Sequence, residues 1–114
     1  MKPLTAVESL SALAHEHRLG IYRLLIKQGP DGLPAGVVGR RVGLTPSSLT
    51  FHLQALQRAG LIRRARVGRQ LFYSADFSAM NELVSYLTDE CCVESQCCAP
   101  ECAPVRKSKS PKAA

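Results

Sequence analysis

Residues 45–74 read TPSSLTFHLQALQRAGLIRRARVGRQLFYS, and this stretch decides the fold. Thr45 is a good helix N-cap and Pro46 suits the first helical position. The apolar spacing then predicts a helix over Pro46–Ala59, with Gly60 at the C-terminal cap position. On its wheel Leu49, Leu53 and Leu56 share one face and point to a core. Ser47, Phe51, Gln54 and Arg58 lie opposite, flanked by Ser48, Thr50 and Ala55. After Gly60, Ile62–Val67 and Gln70–Ser74 are strand-like runs joined at Gly68-Arg69, which reads as a hairpin.

Upstream, residues 5–14 predict a first helix, with Thr5 and Glu8 as a capping box and Val7, Leu10, Leu13 and Ala14 on one face. A second helix is expected from His17 to Gln28, stopped by Gly29-Pro30. Asp31-Gly32 is a turn signal, and Ala35–Val42 predicts a short third helix ending at Gly43. Downstream, Asp76 caps a last helix over Phe77–Glu90, with Phe77, Met80, Leu83, Val84 and Leu87 as its apolar stripe. The expected fold is mostly α with a small β-hairpin wing: a winged helix-turn-helix in the order α-α-α-α-β-β-α. Residues 1–92 form that domain. Residues 93–114 read as a flexible tail, containing cysteines and ending in the basic stretch RKSKSPKAA.

Charge points to a polyanionic partner. The 114 residues carry a formal charge of +6. No Asp or Glu occurs between Asp31 and Asp76, a stretch that holds Arg40, Arg41, Arg58, Arg63, Arg64, Arg66 and Arg69. Such a block is either a solvated basic face or a phosphate-contacting surface. Two short helices, a tight turn and a basic hairpin favour the second, with the later helix entering the major groove of DNA. Gln54 suits adenine edges, and Thr50 or Phe51 a thymine methyl. Ser47 and Ser48 stand where hydroxyls and helix N-terminal amides hold a phosphate. Arg64, Arg66 and Arg69 are positioned as wing contacts. Phe51 has a packing alternative. His52 reads as a packed or phosphate-contacting histidine, not a metal ligand.

Other classes find little support. No apolar run is long enough to span a membrane, and the N-terminal apolar residues are interrupted before a signal segment forms. A cytosolic location is expected. No phosphate loop, acid/base pair or nucleophile elbow points to an enzyme.

The stretch from Ser47 to Ser74 resembles the recognition helix and wing of the ArsR/SmtB repressors. Ser47, Phe51, His52, Leu53 and Leu56 follow that family's Ser-x-x-x-His-His-Leu-x-x-Leu pattern. Ala59-Gly60-Leu61-Ile62 and Arg66-Val67-Gly68-Arg69 follow its next two signatures. Upstream, LAHEHRLGIYRLL (residues 13–25) is similar to the family's second-helix opening, with Arg18 and Leu19 matching its Thr-Arg-Leu. Phe51 replaces the usual first His. The resemblance implies a homodimer through the first and last helices. The apolar surface of those two helices supports it independently. A twofold dimer implies an inverted-repeat operator in double-stranded DNA.

The family's alternative sensing sites are absent: the third helix has no Cys and the last helix no His. What remains is DECCVESQCCAPEC (residues 89–102), in which Cys91, Cys92, Cys97, Cys98 and Cys102 account for every cysteine. The odd number and cytosolic setting argue against a disulfide framework. An all-thiolate set without His favours soft ions. Trivalent arsenic and antimony take three thiolates, and exchange of arsenite's three hydroxyls for three thiols releases water. Some ArsR-like repressors carry a C-terminal vicinal pair plus a later Cys. The expected ligands are Cys91, Cys92 and Cys98, with Cys97 and Cys102 as alternates, and As(III) or Sb(III) as effector. A zinc or cadmium site, a redox switch, and a thiol-rich metal-carrying protein are the competing readings.

Overall fold

The computed structural model describes residues 1–94. Its order is α1 (Pro3–Leu13), α2 (Glu16–Gln28), β1 (Leu33–Pro34), α3 (Ala35–Val42), α4 (Pro46–Arg58), β2 (Ile62–Val67), β3 (Gln70–Ala75) and α5 (Phe77–Leu87). The expected winged helix-turn-helix is present, with one added strand.

That strand is two residues long and escaped the sequence pattern. Leu33 pairs with Tyr73 and Pro34 with Phe72, both antiparallel, giving a sheet ordered β1-β3-β2. Proline is tolerated there because β1 is an edge. Gly32 leads into it at φ +74°, and a Cβ at that position would run into the Tyr73 carbonyl oxygen. The wing hairpin pairs Ile62 with Ala75 through Val67 with Gln70. Its turn places Gly68 at φ +63°, as the first centre of a II′ turn requires.

Helix ends follow their caps. Thr45 Oγ1 accepts from the Ser48 amide (3.4 Å), and Asp76 Oδ1 accepts from the Ala79 amide (3.1 Å). Gly43 closes α3 in the left-handed region. Helix α1 differs from expectation. It starts at Pro3, with Lys2 as a cap that makes no side-chain bond, so Thr5 lies inside the helix and forms no capping box. A proline at the first turn, whose φ is already helical, sets the earlier start. Helix α2 starts at Glu16, because His15 Nδ1 caps it by accepting from the His17 amide (3.2 Å). Helix α5 ends at Leu87 rather than Glu90. The chain then turns through residue 94, with Glu90 at φ 59° and Cys92 at φ 63°. The expected 92/93 boundary falls within these turns, and most of the expected tail lies outside the described residues.

The core gathers around Ile21, Leu25, Val38, Leu53, Leu56 and Leu61, all at most 2% exposed. Helix α1 meets it through small residues, Ala6, Ser9 and Ala12. Leu4, Val7 and Leu10 therefore face outward, at 68%, 56% and 42% exposure. In α5 Leu83 is buried, while Leu87 is exposed. Tyr22 is buried with its hydroxyl unpartnered among the described residues. Burial, then the Asp76 carboxylate, pushes its pKa up to about 12.

Candidate nucleic-acid interface

Helix α4 is seated by its leucines. Leu49, Leu53 and Leu56 are buried, and Leu49 packs closely on Gly39 of α3, where a Cβ would stand 3.2 Å from its methyl group. That close approach fixes the angle between the two helices of the helix-turn-helix. The opposite face of α4 is open: Ser47, Ser48, Thr50, Phe51, Gln54 and Arg58 are all exposed. The Thr50 hydroxyl donates to the Pro46 carbonyl (2.9 Å), which leaves its methyl group as the surface feature. The Ser48 amide is engaged by the Thr45 cap, so at Ser48 the hydroxyl is what remains for a phosphate. Phe51 is 58% exposed, and the packing alternative for it does not hold.

On the wing, Arg64, Arg66 and Arg69 are exposed. Strand alternation puts Arg64 and Arg66 on one face, opposite Tyr73 and Leu71 of β3. Arg63 points to the other face, where its Nε lies 3.3 Å from Asp76 Oδ2. Its charge is partly matched; the other three wing arginines make no ion pair among the described residues.

A cluster beside α4 was not assembled from sequence. His52 is 7% exposed. Its ring centroid lies 4.6 Å from that of His15 and 5.7 Å from that of His17, which are themselves 5.6 Å apart. Arg18 Nε donates to His52 Nδ1 at 3.2 Å. The packed reading of His52 is the one observed. His15 and His17 sit side by side in HEHR, but their meeting with a residue 34 or more positions away needs the tertiary fold.

At the other end of the chain, Cys91 and Cys92 follow α5. Their sulfurs lie 3.3 Å apart. The hydrogen bond with Cys91, then a little desolvation and the Cys91 charge, pushes the Cys92 thiol up. Cys97, Cys98 and Cys102 lie outside the described residues.

A buried-face recognition helix, a partner helix locked across a glycine and a basic hairpin together define a winged helix-turn-helix DNA-binding domain. The comparisons agree. The sequence profile of a helix-turn-helix domain matches residues 13–65. The HTH-type transcriptional regulator YgaV of Escherichia coli is 32% identical over 87 residues, covering 76% of this chain and 86% of that protein. The nodulation protein NolR of Rhizobium meliloti is 31% identical over 80 residues, 70% of this chain and only 63% of that longer one. The structure of HlyU from Vibrio cholerae superposes with a TM-score of 0.60 at 33% identity, covering 76% of this chain and 97% of that one. The homodimeric winged helix-turn-helix domain of Mb0332 from Mycobacterium bovis, a possible ArsR-family regulator, also gives 0.60, at 28% identity, over 75% of this chain and 80% of that one. The chain belongs to the ArsR-like winged helix-turn-helix transcriptional regulators. Members of this group act by binding DNA, not as enzymes. Among the described residues no helix is long and apolar enough to cross a membrane.

Proposed function

We propose that the chain is a cytoplasmic, metalloid-responsive transcriptional repressor. It binds an inverted-repeat operator as a homodimer. It leaves the operator when As(III) or Sb(III) is held by Cys91, Cys92 and a third C-terminal thiolate, Cys98 ahead of Cys97 and Cys102.

The observation that carries this reading is the 3.3 Å between the Cys91 and Cys92 sulfurs just beyond α5. Two thiolates each about 2.3 Å from one shared ion lie within about 4.6 Å of each other. The pair already meets that condition. Among the described residues no group of three or more His, Cys, Asp or Glu is disposed to hold a metal ion. The reading therefore draws its third sulfur from the later cysteines.

The dimer is supported by the outward Leu4, Val7 and Leu10 of α1 and Leu87 of α5. These two helices touch in the fold, and large apolar side chains exposed on both suit burial against a second copy. The M. bovis domain is homodimeric. A twofold assembly presents two recognition helices to two half-sites. Helix α5 is tied to the wing at its start through Asp76 and leads to the thiols at its end. Ligation at the thiols thus acts on the helix that bears both the dimer face and the wing anchor. A coupling of about 1–3 kcal/mol suffices for regulation.

The test titrates the reduced chain with sodium arsenite and follows the near-ultraviolet absorbance of As–S bonds. The reading predicts saturation near one equivalent per chain in the wild type and loss of the signal in Cys92→Ser. Tight zinc or cadmium binding with no arsenite signal would overturn it in favour of the divalent-metal alternative.

A further inference from the structure

Three side chains link α2 to the reading face of α4. The Arg18 guanidinium donates to His52 Nδ1 at 3.2 Å, and its central carbon lies 5.7 Å from the centroid of the Phe51 ring. Phe51 and His52 adjoin on α4 but differ in exposure. The first is 58% exposed and the second 7%, and their rings meet edge-on at 5.4 Å. Arg18 is therefore shared between a buried imidazole and the one large apolar side chain presented by the recognition helix.

The hydrogen bonds set the protonation state. An imidazole nitrogen that accepts carries no proton. His52 Nδ1 accepts from Arg18, so this bond requires the neutral ring. A proton on His52 Nδ1 would set N–H against N–H and a cation beside a guanidinium. The groups facing His52 are His15 and His17, with Arg18, all contributed by α2 and its cap. Glu8 of α1 and Arg58 of α4 line the cavity of about 400 Å³ that Arg18 also borders. Burial first, then His15, Arg18 and His17, holds the His52 pKa below the usual histidine value.

We propose that His52 is a positioning residue for the recognition helix: neutral His52 holds Arg18 against Phe51, and its protonation frees both and weakens DNA binding. Fixing an exposed side chain before contact lowers the ordering cost of association. A cationic side chain over an aromatic face adds attraction of its own. The inference rests on the DNA-binding reading but not on the cysteines. Its sign is diagnostic. Imidazoles that merely faced phosphates would gain protons on binding, and acid would then tighten the complex. Here acid loosens it.

The test uses the full chain and a fluorescein-labelled duplex that the chain itself selects from a randomised library. Affinity is read by anisotropy at pH 7.5 and 5.5 and constant ionic strength, with far-ultraviolet circular dichroism showing the chain folded at both. Because the His52 pKa lies below the usual histidine value, proton linkage predicts wild-type binding weaker at pH 5.5 by a factor that stays under about tenfold. His52→Asn keeps an acceptor near the Nδ1 position and does not titrate, so its affinity falls less than the wild type's between the two pH values. A second readout needs no variant: the NMR titration midpoint of His52 shifts to lower pH when the duplex is bound. Wild-type affinity that holds or rises at pH 5.5, or a midpoint that DNA raises or leaves in place, would overturn the inference. Absence of saturable binding at pH 7.5 would instead contradict the DNA-binding reading.

Discussion

Arg63 and Asp76 face each other across the joint between wing and last helix, with Arg63 Nε 3.3 Å from Asp76 Oδ2. The other carboxylate oxygen, Oδ1, caps α5 by accepting from the Ala79 amide. The Asp76 amide in turn donates to the Leu61 carbonyl at 2.8 Å. One residue thus sets where β3 ends, where α5 begins and how the base of the wing is held.

Asp76→Ala removes the cap and the ion pair together. Loss of the cap alone is worth about 1 kcal/mol, while the exposed ion pair adds little. Asp76→Ser retains a capping oxygen and recovers most of the loss. Urea denaturation of the two variants beside the wild type checks this.

Acid also destabilises the fold through His52. Its pKa is lowered by burial first and by His15, Arg18 and His17 after that. The unfolded chain therefore takes up the proton near the ordinary value of 6.5, before the folded chain does. The stability that neutral His52 contributes is complete above pH 6.5 and is lost as pH falls below it. Urea midpoints measured from pH 7.5 downward show the decline, and His52→Asn reduces its slope.

Wing and helix contribute differently to DNA binding. Arg66 is an exposed cation on a β-hairpin and carries no base-reading geometry of its own. Arg66→Ala weakens binding to all duplexes alike and lowers the slope of log affinity against log salt by about 1. Gln54→Ala instead costs about 1–3 kcal/mol at one base pair and relaxes preference there. Anisotropy titrations at several salt concentrations, with single-base operator variants, separate the two.

Gly32 is needed for the added strand. Its φ of +74° and the Tyr73 carbonyl against it leave no room for a side chain. Gly32→Ala destabilises the chain by at least about 1 kcal/mol. Gly29, at φ +96° but with open space around it, bears the conformational cost without the collision. Thermal melts of Gly32→Ala and Gly29→Ala rank the two.

Local chemistry made most of the fold legible. Thr45-Pro46 and Asp76 announce helix starts through their own side chains, Gly43 a helix end and Gly68 the hairpin turn through their freedom at positive φ; each acts where it stands. Strand β1 was hidden because two residues carry no periodicity and exist as a strand only by pairing with β3. The apolar face of α1 was legible, but not the small-residue face that seats it: Ala6, Ser9 and Ala12 are buried, and Leu4, Val7 and Leu10 face outward. The reading face of α4 was visible as the complement of its leucines. The Arg18–His52–Phe51 link was not, since nothing local joins residues 34 positions apart. The cysteines stood out by density alone, and their number exceeds what one three-thiolate site needs.

Release of DNA by trivalent arsenic is the central claim, and one titration tests it directly. The reduced chain is bound to its selected inverted-repeat duplex at pH 7.5, and sodium arsenite is added while fluorescence anisotropy is followed. Thiolate-triggered release gives a saturable fall to the value of free DNA in the wild type and no fall in a Cys91→Ser/Cys92→Ser variant that still binds the duplex. Anisotropy unchanged by arsenite in the wild type, with the complex intact, would contradict it.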